Sequence, residues 1–246
     1  MDDGINDMKK QTEDKRTVAG SDELIVKSKW YQVFSACLGK MMAIQNACAD
    51  IVVKGQNWNV DFTKGVISFG SDEYPLQLIG SEAASDQTWL WGWKNINGFD
   101  EKLIATAKAT RELGEQWGLA PLTAEKFPIN DTFNGHSLSI VTCGISKDNL
   151  CYYRGPHRGG AILVAFSDVP PEVFLPIDMP TFMSLVIRCI ENYRVDHKVF
   201  VESLLQWNKT EFEWSQNTLV ARFEQDLHIQ FEQANEVARI SSMKTV

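Results

Sequence analysis

Histidine is scarce in this chain, four in 246 residues and none near another, and its five cysteines include no Cys-x-x-Cys pair. That scarcity removes the closely spaced ligand sets of common zinc sites, so no metal is expected. A Gly-x-Ser-x-Gly elbow is missing, and His136, His157, His197 and His228 stand isolated, so no catalytic residue is assigned. The Gly-x-x-x-x-Gly-Lys-Ser/Thr spacing of a phosphate loop is absent too, and no cofactor is expected. No run approaches the ~20 apolar residues of a membrane span, and residues 1–20 lack the apolar core of a secretory signal. A cytoplasmic protein without membrane contact is the expectation. Cys37, Cys48, Cys143, Cys151 and Cys189 fit it as core thiols; Cys143 and Cys151 would meet only across a hairpin whose loop ran to about five residues.

Basic residues are also in short supply. Lys and Arg number 24 against 32 Asp and Glu, for a formal charge of −8. Phosphate binding needs a clustered basic surface that releases counterions, so nucleic acid is excluded as the main partner. A basic protein is the more natural one, and a mildly acidic balance also suits plain solubility.

What is present reads as an α+β fold. Residues 1–21 are polar and read as a disordered tail; residues 22–246 read as a single α+β domain, or as two similar helix-plus-hairpin halves. Apolar residues recur at three- and four-residue spacing over residues 28–53, with Gly55 as a stop, and again over 99–117 and 181–207. Two of these, 28–53 and 181–207, are the long amphipathic helices expected to pack on antiparallel sheet. Strands are expected at residues 58–62, 66–69, 76–79 and 88–94, then at 136–145, 151–154 and 161–166, and finally at 212–214, 219–223 and 227–231.

Trp89, Trp91 and Trp93 occupy alternate positions and so share one face of any strand they form. They are either a core ridge, which Leu90 and Gly92 on the opposite face favour, or a pocket wall or exposed platform, with Trp91 the candidate contact. Tyr153, Arg154, His157 and Arg158 lie in a Gly- and Pro-rich segment where two guanidiniums could hold a carboxylate or phosphate; equally, that segment simply turns the chain. Glu211, Glu213 and Glu224 make the closing strands locally acidic, which suits either a docking face for a basic protein or a solvated edge defended by charge.

Several segments carry a resemblance: Trp58-x-x-Asp61 with Gly65-x-Ile67-x-Phe69, Leu78-Ile79-Gly80-Ser81, Thr88-Trp-Leu-Trp-Gly-Trp with Asn95, Tyr152-Tyr153-Arg154-Gly155-Pro156 with Gly159-Gly160, and Leu219-Val-Ala-Arg-Phe223 on to Phe231. Through them the chain resembles an uncharacterised bacterial family, domain of unknown function 6882, over nearly everything after Ser28. The resemblance implies a bacterial cytosolic protein and brings no established activity. Families of this type often sit beside toxin genes as immunity proteins. The leading expectation is therefore a non-enzymatic protein-binding module of immunity type that occludes a basic partner such as a toxin. The alternative is an enzyme or small-ligand binder with the Arg/His segment beside an aromatic-lined pocket.

Overall fold

The computed structural model describes residues 25–234 and 237–246; the expected disordered tail, residues 1–21, lies outside the described residues. Helix α1, Trp30–Cys48, runs on into a wide π turn, Ala49–Val53, closed by the Lys54 N–H on the Ala49 carbonyl at 2.8 Å. Lys54 and Gly55 then adopt left-handed φ angles of 49° and 65°, which ends the helix at the expected stop. Contrary to the expectation that no membrane-length run exists, Trp30–Val53 is long and apolar enough to cross a bilayer by length and composition. Its buried positions, among them Val33, Cys37, Leu38, Met41, Ile44 and Cys48, are those of a core helix.

Seven antiparallel strands form the larger sheet: β1 (Trp58–Asp61), β2 (Val66–Phe69), β3 (Asp72–Ala83), β4 (Thr88–Trp91), β5 (Lys126–Pro128), β6 (Cys151–His157) and β7 (Gly160–Phe166). The long β3 is its spine. Residues 72–75 pair with β2, residues 80–83 pair with β4, and residues 76–83 run against β7 with Ile79 left out of register. Gly80 is obligatory beside that irregularity, since a Cβ there would sit 2.3 Å from the Trp89 ring. Trp89 and Trp91 are 0% and 1% exposed and meet edge to face at 5.2 Å, with the Trp91 indole N–H donating to the Pro121 carbonyl at 3.0 Å. Trp91 is therefore core and offers no surface to a partner. Trp93 leaves the strand altogether, in a 3-10 turn at Gly92–Lys94, and is buried beneath the Arg111 guanidinium.

Helix α2 (Ala105–Trp117) and the short α3 (Ala120–Thr123) cross between β4 and β5, and α2 starts later than expected because Glu101–Leu103 is a 3-10 turn. Residues 136–145, expected as a strand, are helix α4, Gly135–Ile145. Asn134 and Ser137 close a reciprocal capping box at its start, and residues 137–143 are all buried. A helix covered on every side shows no 3.6-residue stripe, so its apolar, β-branched sequence reads as a strand. Cys143 is consequently on α4 and Cys151 on β6, not across a hairpin; all five thiols are free and buried, and burial pushes Cys37 and Cys143 up to about 12.

The expected long helix over 181–207 is two helices, α5 (Met179–Asn192) and α6 (His197–Trp207). The break has a local cause: the Asp196 carboxylate caps α6 by accepting from the Lys198 and Val199 amides, while its own N–H donates to the Ser35 hydroxyl of α1 at 2.8 Å. α6 lies close on α1 because Gly39 leaves only 3.0 Å between an added Cβ and the Leu204 Cβ. A second antiparallel sheet follows, in the order β11 (Val237–Thr245), β10 (Asp226–Ala234), β9 (Thr218–Arg222), β8 (Phe212–Ser215); β11 is an element the sequence reading lacks. Leu219, Ala221, Leu227, Ile229 and Phe231 are buried in it, and the Trp214 indole donates to Glu202 of α6 at 2.6 Å. The two halves suggested by the repeated helix-plus-hairpin order thus carry sheets of seven and four strands.

Candidate ligand cavity

The residues singled out in the sequence do not converge on one site. Arg154 points inward from β6, its Nε and Nη2 2.9 and 2.7 Å from one oxygen of Glu82, a carboxylate only 8% exposed. The other Glu82 oxygen accepts the Gly135 amide at 2.7 Å, so the ion pair ties β3, β6 and the start of α4 together. Tyr153 is half-buried against Trp58 and Phe69. His157 and Arg158 are exposed at a tight turn, for β6 and β7 stay paired out to His157 and Gly160. The Gly- and Pro-rich segment expected to hold an anion is thus mostly strand, with Arg154 turned to Glu82 while His157 and Arg158 stand at the exposed turn. Pro156 fits because β6 is an edge strand, pairing with β7 alone. Glu211, Glu213 and Glu224 are all exposed, and Arg222 pairs with both Glu213 and Asp226.

A different place gathers chemistry. Where α1 begins, where α4 begins, and where α5 gives way to α6, the three segments line an open cavity of about 610 Å³. Its apolar wall is Trp30, Tyr31, Phe34 and Tyr193. Trp30 and Phe34 lie nearly parallel, 17° apart at 6.2 Å, and Phe34 meets Tyr193 at 5.9 Å. The polar lining includes His136, Asp131 and Arg194. The Arg194 guanidinium lies 6.0 Å over the Tyr31 ring and has no carboxylate in salt-bridge reach among the described residues.

The titrating groups are tuned in consistent directions. Partial burial, then the nearby Arg154 cation, lowers the His136 pKa from the ordinary 6.5, against the opposite pull of Glu82. At neutral pH the imidazole is uncharged, with Nδ1 3.4 Å from the Tyr152 hydroxyl. Burial raises Tyr193, and burial with Asp196 raises Tyr31, so both phenols stay protonated and able to donate. The lining thus combines an aromatic wall, an uncharged imidazole, two protonated phenols and a guanidinium without a carboxylate in salt-bridge reach among the described residues. The Ser137 hydroxyl is engaged in the α4 cap, donating to the Thr132 and Asn134 carbonyls.

Residues 31–169 match the model of a family of unknown function, DUF6882. The chain belongs to that family. No curated protein and no solved structure matches it. The DUF6882 match begins inside α1 and stops just after β7, so the closing segment 219–231, expected to be part of the resemblance, lies beyond it. Trp30 stands just ahead of the DUF6882 match and residues 192–194 lie after it, so the cavity has walls on both sides of that boundary. The cavity is hidden in the sequence because α4 carries a strand-like apolar pattern and α5 and α6 share one helical stripe. The signals were there: Asn134 three residues before Ser137, and Asp196 just ahead of an apolar helical stripe.

Proposed function

We propose that the chain binds a small molecule in the cavity between α1, α4 and the α5–α6 break. The observation that carries this reading is the cavity itself. At about 610 Å³ it falls within the ~300–1,000 Å³ of small-molecule sites, and it combines a four-ring wall with a few polar groups that fix orientation. Protein isolated from its native cell is expected to release a small molecule on denaturation, detected by comparing native and denaturing mass spectra. Asn192→Trp places a large side chain at the lining and should abolish that adduct while leaving the thermal midpoint within a few degrees. Equal adduct in both proteins would sink the reading.

Protein docking is a second reading, favoured by the exposure of Glu211, Glu213 and Glu224 at one end of the smaller sheet and by the net charge of −8. It corresponds to an immunity-type protein of the bacterial cytosol that covers a basic partner. A rim of carboxylates raises association rate more than affinity. Reversing all three to lysine should slow association with a partner recovered from native cells at least tenfold at low salt and leave dissociation little changed. An unaltered association rate would remove the acidic face from the account.

A further inference from the structure

We infer that the cavity selects a planar aromatic anion, its ring against Trp30, Phe34 and Tyr193 and its anionic group on Arg194. This inference rests on the small-molecule reading above and specifies the ligand class for the same site.

Two observations carry it. The first is ring geometry. Trp30 and Phe34 are nearly parallel at 6.2 Å, and Phe34 also meets Tyr193 at 5.9 Å with a tilt of 52°, so the lining gathers several aromatic rings at one place. Flat guests stack on such walls, whereas a branched aliphatic guest would leave gaps against them. The second is the state of the cations. Arg154, the other guanidinium near the start of α4, is consumed by Glu82 at 2.7 Å. Among the described residues Arg194 has the Tyr31 ring at 6.0 Å and no carboxylate in salt-bridge reach, and it is exposed. A planar guanidinium held over a ring keeps its N–H edge free, and that edge matches a carboxylate, phosphate or sulfonate in bidentate fashion. Asp131 is the lining carboxylate and disfavours an anion beside it, whereas Arg194 is the lining cation that would take the anionic group.

The probe is 1-anilinonaphthalene-8-sulfonate with the full chain, followed by fluorescence, and its control is N-phenyl-1-naphthylamine, the same rings without the sulfonate. The expected result is one saturable site per chain with the sulfonate bound at least tenfold more tightly than the neutral probe. Arg194→Gln should remove that preference and leave the neutral probe unaffected; Arg194→Lys should restore part of it. 1-Naphthoate and 1-naphthyl phosphate then compete for the site, the stronger displacer naming the anionic group. Equal binding of both probes, unchanged in Arg194→Gln but abolished in Asn192→Trp, overturns the anion selectivity and leaves the cavity reading standing. Binding that Asn192→Trp does not change overturns both.

Discussion

Glu82 shows how one side chain can settle a region. It is charged and nearly enclosed, and it survives there because Arg154 and the Gly135 amide satisfy both of its oxygens. Removing the cation leaves an uncompensated buried carboxylate, a larger loss than the pair's own worth. Arg154→Met is expected to destabilise the protein by about 2 kcal/mol, below the ~3–5 kcal/mol of fully enclosed pairs because the arginine side chain is 36% exposed. Urea unfolding measures it, and restoration of the midpoint in the double variant Glu82→Gln/Arg154→Met would show the cost to be the orphaned charge. The same residue explains why Arg154, a reasonable anion candidate in sequence, is not available to a ligand. Sequence shows a cation beside glycines; it does not show a carboxylate seventy-odd positions earlier folded onto it.

At the scale of elements, legibility followed amphipathic contrast. α2 and the hairpins around residues 63–65 and 223–225 have one covered and one open side, or a turn that only certain residues make, and their pattern shows it; α1, with no exposed residue over 30–48, is legible through its long apolar spacing and the stop at Gly55. α4 is covered all round and loses its period. α5 and α6 keep a common period across residues 193–196, so the break is visible only through the cap at Asp196. β11 pairs only with β10, and its exposed and half-buried residues give a weak pattern. The cavity falls where two of these misread elements meet α1, which is why none of its walls was singled out.

β11 also has a titratable anchor. The Ile240 amide donates to His197 Nδ1 at 3.1 Å, a bond that requires the unprotonated nitrogen. Burial, then Arg239, lowers the His197 pKa in the fold, while Asp196 pulls the other way. Unfolded, the imidazole takes its proton near 6.5, so between 6.5 and the lower folded value the unfolded chain binds more protons and stability falls as pH falls. His136 contributes with the same sign; Glu202, raised by burial, acts with the opposite sign from 4.5 upward. The urea midpoint should therefore drop as pH is lowered from 7.5 towards 5.5, and the intrinsic-rate-corrected exchange of the Ile240 amide should rise. His197→Asn offers an acceptor that does not titrate and should flatten part of that slope. A parallel fall in wild type and variant would exclude His197 as the cause.

At the scale of the whole molecule, the family match and the folded unit have different limits. The match ends at residue 169, yet α6, which lies after it, puts Phe200, Val201, Leu204 and Leu205 into the core at 0% exposure, with α1 as a principal neighbour. Each such side chain contributes about 1.5–3 kcal/mol of burial, and four together rival the ~5–15 kcal/mol net stability of a domain. A chain ended at residue 169 is expected to lack fixed packing: weak near-ultraviolet circular dichroism and aggregation on size exclusion, against a sharp peak for the full chain. A monomeric, cooperatively unfolding fragment would show that the family-matched part stands alone.

The order in which the cavity walls are synthesised has a cellular consequence. Trp30 and Phe34 emerge early and Tyr193 and Arg194 late, so at ~5–20 residues per second on the order of ten seconds of translation separates the two sides of the site. A nascent or prematurely ended chain therefore has one wall and no cavity. A ligand that binds only the completed site stabilises finished molecules by mass action and gives nothing to fragments. Its concentration would then set how much full-length chain outlasts proteolysis, so that abundance itself would report the ligand.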